Sequence, residues 1–258
     1  MVIRFGPAGL GGVKTALETL EQYNKLGFRA CEIAFTYNAY IKNKEDAEAI
    51  GKKAKELDIA LSIHAPYYIN LNSSDKGKRE ASIKRILECC KIGSWLEAKR
   101  IVFHPGYYSE DKEESYQNIK NGIIEILKEI KRNNFNIEIA AETMGKVNVF
   151  GSVDEINRLV EETGCGFCID FAHILARDKR VDYGKLLKLF PQEKWHCHFS
   201  GIVYGDKGEK HHKTTEKSEW LGLLNNLPRN KEIIIINESP TMVDDCIEGI
   251  KVLNSLRQ

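Results

Sequence analysis

Apolar positions along the chain fall into two alternating patterns. Short, nearly unbroken apolar runs at Val2–Phe5, Cys31–Phe35, Ala60–Ala65, Arg100–His104, Ile137–Thr143, Gly166–His173, Lys194–Ser200 and Ile233–Glu238 read as strands. Between them lie segments with helical spacing, at about Val13–Leu26, Lys44–Leu57, Lys78–Leu96, Glu113–Lys131, Val153–Glu162, Tyr183–Leu189, Glu219–Asn226 and Met242–Leu256. Continuous apolar strands belong to a parallel sheet covered on both faces. Eight strands alternating with eight helices therefore predict an α/β fold, the (β/α)₈ TIM barrel. An open doubly wound sheet is the competitor, but no GxGxxG follows the first strand. No linker divides residues 1–258, which predicts a single domain. The longest polar interruption, Gly201–Ser218, is expected to be a loop after the seventh strand, on the catalytic face of the barrel, and Gly106–Glu114 is a shorter one.

The polar residues inside these runs carry the chemistry. Side chains two apart on a strand share a face, so Ser62 and His64 point one way, as do Val102 and His104, Ala140 and Glu142, Cys168 and Asp170, His196 and His198, and Ile236 and Glu238. Each inward row ends in a group able to bind a metal. Pro66 and Pro105 break the chain just after His64 and His104. His173 follows Asp170 by three residues, and His211 and His212 lie in the long loop after the seventh strand. His64, His104, Glu142, Asp170, His173, His198 and Glu238 are thus expected together at the C-terminal mouth of the barrel.

Imidazole and carboxylate together suit zinc, manganese or iron, and the lack of cysteine ligands argues against a purely structural zinc. The set exceeds the four ligands of one tetrahedral ion, which implies two or three metals, an arrangement suited to hydrolysis at phosphorus or carbonyl carbon. A single strand-end histidine is more often a satisfied core residue, and a single acid a salt-bridge partner or helix cap. Recurrence on six strands favours the metal centre. All seven histidines fall near strand ends or in a mouth loop, none on a helix face.

Composition narrows the class. The 258 residues are 42% hydrophobic and 29% charged with net charge +1, which excludes general disorder and a strongly basic nucleic-acid coat. No leader pattern stands at Met1 and no apolar run is long enough to span a bilayer, so a soluble, cytoplasmic monomer with no membrane partner is expected. The seven cysteines are an odd number set in apolar or helical runs, the habit of reduced, buried thiols. Cys165 and Cys168 form a lone CxxC, which reads as burial rather than zinc.

The motifs resemble the endonuclease IV family, zinc-dependent apurinic/apyrimidinic endonucleases with a TIM-barrel fold. His64-Ala65-Pro66-Tyr67-Tyr68-Ile69-Asn70-Leu71 is similar to the family's histidine-to-INL segment, His104-Pro105-Gly106 to its HPG, and Ala141-Glu142-Thr143 to its strand-five glutamate motif. Cys168-Ile169-Asp170-Phe171-Ala172-His173 is similar to its CIDxxH, the most specific of the set. His198-Phe199-Ser200 and Asn237-Glu238-Ser239 resemble the last two. The likeness runs from the third strand to the eighth.

The resemblance implies a site in which His64, His104 and Glu142 hold one zinc, with Glu142 bridging to a second held by Asp170, His198 and Glu238. A third would take His173 and a histidine of the strand-seven loop. Glu142, Asp170 and Glu238 would be catalytic, cleaving DNA 5′ to abasic sites by a metal-activated hydroxide. Tyr67, Tyr68 and Asn70 would meet the substrate, an aromatic ring being able to stack where a base is displaced; one tyrosine could equally pack beneath its loop. Lys76, Lys78, Arg79, Lys207, Lys210 and Lys213 could contact phosphates, or simply be solvated. The chain departs from the family at the third zinc. The Asp-x-His pair is replaced by Gly208-Glu209-Lys210-His211-His212, where the favoured register pairs Glu209 with His211. With His212 as ligand instead, Lys210 would occupy the place of the aspartate.

The alternative is a sugar or sugar-phosphate isomerase or epimerase of the xylose-isomerase-like barrels, for which Glu142, Asp170, His198 and Glu238 would suffice. A barrel that only binds a partner would leave the ligand set idle.

Overall fold

The computed structural model describes residues 2–257. Its centre is an eight-stranded sheet formed by β1 (Val2–Pro7), β2 (Ala30–Ala34), β3 (Ala60–His64), β4 (Arg100–Phe103), β5 (Glu138–Glu142), β6 (Gly166–Asp170), β7 (Lys194–Phe199) and β10 (Glu232–Asn237). All the ladders of this sheet are parallel: β2 to β7 pair each with the next, β7 pairs with β10, and β10 returns to β1. The expected TIM barrel is borne out. Ile63, Ile101, Phe103, Ile139, Phe167, Ile169, Trp195, Ile233 and Ile235 turn outward into the core shared with the surrounding helices. That burial on the outer face is the mark of a parallel sheet covered by helices, and the return of β10 to β1 with the close approach of β1 to β2 makes it a barrel.

The seam between β1 and β2 has no ladder. It is closed by the Arg29 amide donating to the Phe5 carbonyl at 3.0 Å and by a close approach of the two backbones. A Cβ at Gly6 would lie 1.8 Å from the Ala30 carbonyl oxygen, so no other residue fits there. Gly6→Ala is expected to cost about 1–3 kcal/mol or more, read as a lower denaturant midpoint. An unchanged midpoint would show that the seam yields.

The helices fall close to the expected segments: α1 (Ala16–Lys25), α2 (Lys44–Glu56), α3 (Lys76–Trp95), α4 (Lys112–Arg132), α5 (Val153–Thr163), α7 (Tyr183–Leu189), α8 (Lys217–Asn226) and α9 (Met242–Ser255). Asn43, Asp75, Asp111 and Ser152 cap four of them by accepting backbone amides, which fixes where each begins.

Two expectations need correction. The sixth strand does not run to His173. It stops at Asp170, whose side chain accepts the His173 amide at 2.7 Å and caps an unexpected helix, α6 (Phe171–Asp178). His173 therefore does sit on a helix. The segment after the seventh strand is not an irregular loop but an antiparallel hairpin of β8 (Gly201–Gly205) and β9 (Gly208–Lys213). Ile202 of this hairpin packs on Ala172 and Ala176 of α6.

All seven cysteines are buried free thiols. Among the described residues no helix is long and apolar enough to cross a membrane.

Candidate metal centre

The last inward residues of the strands, with those just beyond them, converge on Glu142. This glutamate ends β5 and is fully buried. Its Oε2 lies 3.1 Å from His64 Nε2 and 3.2 Å from His104 Nε2, and its Oε1 lies 3.2 Å from both His173 Nδ1 and His198 Nδ1. Glu238, one residue past β10, brings Oε2 to 3.3 Å from His198 Nδ1, and Asp170 Oδ2 is 3.3 Å from His173 Nδ1. Four groups with ligand atoms close enough to share an ion result, three of them around the mouth: His64, His104 and Glu142; Glu142, Asp170, His198 and Glu238; and His173, Glu209 and His212. The fourth, Cys168, His196 and His198, shares His198 and reaches one row deeper.

Local hydrogen bonds aim the rings. His64 Nδ1 is 2.7 Å from the Ala65 carbonyl, which can only accept, so the proton sits on Nδ1 and Nε2 is left to face Glu142. His173 Nδ1 likewise donates to the Thr143 carbonyl at 3.0 Å, leaving Nε2 3.5 Å from Glu209 Oε2. His212 Nδ1 is paired with the Ser200 hydroxyl at 2.7 Å. This outer layer is the one that metal-ligating histidines need.

The electrostatics are those of a cation site. Burial would raise Glu142, yet the facing His198 and His104 rings hold it well below the carboxylate range. Burial opposes a charge on His173, but Asp170 and Glu142 outweigh it and keep the ring well above its ordinary value. Burial pushes Asp170 up, with the His173 ring offsetting this only in part. Asp170 spends Oδ1 on capping α6, and its buried Oδ2 accepts no hydrogen bond among the described residues. Divalent ions fit this donor set: they would satisfy that oxygen and take over the compensation now supplied by protonated rings.

His211 is exposed and stands outside these groups, which corrects the expected pairing of Glu209 with His211. In a regular strand positions 209 and 211 would share a face. The ladder slips between Val203 and Tyr204, with Tyr204 opposite Glu209 and Val203 opposite His211, so Lys210 is an extra residue in β9. The bulge puts Glu209 and His212 on the side facing His173 and turns Lys210 out to solvent.

Above the ligands lies a cavity of about 390 Å³ lined by Tyr67, His104, Tyr107, Met144 and Lys146 among others. Tyr67 stacks on His104 with ring centroids 5.4 Å apart and meets His64 edge-on. Tyr68 does not line this cavity. Its hydroxyl donates to the Tyr37 carbonyl and the Arg85 guanidinium covers its ring. Asn70 is also outside the lining, its Oδ1 accepting the Asn72 and Tyr107 amides at 3.0 and 3.3 Å and so tying the loop after β3 to the loop after β4. Of the basic residues considered for phosphate contact, Lys76 is paired with Glu80 and Lys213 with Glu216 and Glu219.

Glu32 on β2 is absent from the sequence reading, although it is fully buried beneath the ligands and touches His198. Its signal was available: it is the one acid within the apolar run Ala30-Cys31-Glu32-Ile33-Ala34.

The xylose isomerase-like TIM barrel family matches residues 20–223. An uncharacterized protein of Methanocaldococcus jannaschii is 34% identical over 99% of this chain and 98% of its own length. A probable endonuclease 4 of Acholeplasma laidlawii is 31% identical over 57% of this chain, which spans 52% of that relative. Among solved structures, SacUVDE superposes with a TM-score of 0.77 at 18% identity, covering 100% of this chain and 99% of that one. Endonuclease IV from Thermus thermophilus gives 0.72 at 20%, covering 98% of each chain. A D-psicose 3-epimerase crystallised with D-fructose gives 0.67 at 17%, covering 98% and 97%. The resemblance drawn from the motifs is thereby borne out at the level of the barrel family and of partial similarity to endonuclease 4 proteins.

Proposed function

We propose that this chain, which belongs to the xylose isomerase-like TIM barrel family, is a metal-dependent phosphodiesterase that cleaves DNA on the 5′ side of abasic sites. The observation that carries the reading is the joining of three ligand groups around one mouth, with Glu142 common to two of them and His173 contacting both Glu142 and Glu209. Zinc or manganese held there would acidify a bound water and offset the charge of a phosphodiester in the transition state.

The chain's own groups supply the rest. Glu142 fixes the spacing of the first two groups, since its two oxygens face different pairs of rings. Asp170 and Glu238 bring two further carboxylates to the second group, and Glu209 and His212 complete the third on the hairpin. Tyr67, held against His104 at the cavity wall, offers an aromatic face to a sugar that has lost its base. Ile69, Met144 and Val149 add apolar surface to the cavity wall, which would limit the access of water to a phosphate bound there.

A sugar epimerase is the second reading, favoured by the group of Glu142, Asp170, His198 and Glu238, which is sufficient for one ion and for proton transfer. It leaves the other two groups without a task. The test is a duplex with one abasic site, incubated with protein whose metal content has been measured. Nicking 5′ to the lesion with two or three ions per chain is expected. Intact duplex at that loading, with turnover of a keto-sugar instead, would overturn the nuclease in favour of the epimerase.

A further inference from the structure

One residue row below the metal ligands, the inside of the barrel is divided. Val102, Ala140 and Cys168 form an apolar patch under His104, Glu142 and Asp170. Under His64 and His198 the same level is polar, with Ser62, His196 and Glu32. All three are buried, and Glu32 has no exposed surface at all. Among the described residues the ion-pair partners of this glutamate are two histidines, with no lysine or arginine.

Three groups converge on the Glu32 carboxylate. Ser62 Oγ donates to Oε2 at 2.7 Å, His196 Nε2 lies 2.9 Å from Oε2, and His198 Nε2 lies 2.8 Å from Oε1. An ionised carboxylate can only accept, so the hydrogen bond from His196 needs a proton on its Nε2, and the charge at 2.8 Å favours one on His198 Nε2. A neutral imidazole has one such proton. His198 Nδ1 is hydrogen-bonded to Glu142 Oε1 at 3.2 Å and lies 3.3 Å from Glu238 Oε2, and an ion held by these two carboxylates would take the Nδ1 lone pair and leave the one proton of the ring on Nε2. The contact between Glu32 Oε1 and His198 Nε2 is a close approach of ion-pair type that falls short of hydrogen-bond geometry, and neither atom has a hydrogen-bond partner among the described residues.

We propose that Glu32 is a positioning residue for the metal centre: by holding the His198 proton on Nε2 it presents Nδ1 as the ligand atom to the ion shared with Glu142, Asp170 and Glu238. Ser62 and His196 in turn hold Glu32, so strands β2, β3 and β7 are joined behind one ligand. The inference rests on the metal-centre reading and adds to it a residue on β2, a strand that contributes no ligand.

Two measurements test it. In zinc-loaded, ¹⁵N-labelled wild-type protein, ring ¹H–¹⁵N correlations should show His198 protonated on Nε2; protonation on Nδ1 overturns the proposal without any variant. Glu32→Gln keeps the shape but turns an amide NH₂ toward one of its donors. It should weaken binding of the second zinc by about 10–100-fold in competition with a chromophoric chelator. Ser62→Ala, which does not touch His198, should shift it in the same direction by less. Unchanged zinc affinity in Glu32→Gln overturns the proposal while leaving the metal centre standing. A wild-type protein that holds neither zinc nor manganese overturns the metal centre itself.

Discussion

Glu142→Gln is expected to abolish cleavage of an abasic-site duplex, lowering kcat/KM by about 10³-fold or more, and to leave the protein short of bound metal. Each carboxylate oxygen serves two rings, Oε2 facing His64 and His104 and Oε1 facing His173 and His198. An amide has one acceptor oxygen, so one pair of rings would confront an NH₂ instead. Loss of a bridging ligand removes several kcal/mol of transition-state charge stabilisation, and each 1.4 kcal/mol is about a factor of ten in rate. The metal count per chain should fall in parallel. Full metal content with a rate within tenfold of wild type would show that the bridging role is wrong.

His212→Ala and His211→Ala should differ sharply. His212 lies with Glu209 and His173, its Nε2 3.8 Å from Glu209 Oε1, whereas His211 is exposed. Losing His212 should cost one metal ion per chain and reduce cleavage by about 10²–10³-fold, the scale on which a group stabilising developing charge contributes. His211→Ala should stay within about twofold on both readouts. If the two variants behave alike, or if His211→Ala is the impaired one, the bulged register of β9 does not describe the working site.

The contrast between these neighbours marks how far the sequence could be read. The strand-end ligands were legible because a period of two is rigid: once the row Ser62–His64 or Ala140–Glu142 is identified, its inward face follows. The same period misleads at a bulge, since an inserted residue reverses the faces beyond it, and nothing in Gly208-Glu209-Lys210-His211-His212 announces where the slip occurs. The boundary at Asp170 was different. The Asp-Phe-Ala-His stretch carries a helix-capping acid three residues before the amide it binds, but the apolar character of Phe171 and Ala172 extended the strand in the pattern. Glu32 sits mid-strand, away from the C-terminal ends where the ligands gather, so the strand-end pattern does not point to it.

The hairpin has a consequence for how the site comes together. The ligands of the first two groups stand on barrel strands or within a residue of them, so they are assembled as the sheet closes. Glu209 and His212 arrive on an excursion that must land on another part of the chain. Its tip bridges Lys146 to Gly208, the Glu209 amide donates to the Gly145 carbonyl at 3.1 Å, and the Val147 amide to that of Lys207 at 3.3 Å. Gly208 at positive φ makes the landing possible, as a Cβ there would lie 2.1 Å from the Gly145 oxygen. The first two groups thus need only the closed barrel, whereas the third is complete only when one strap is docked between the fifth and seventh strands.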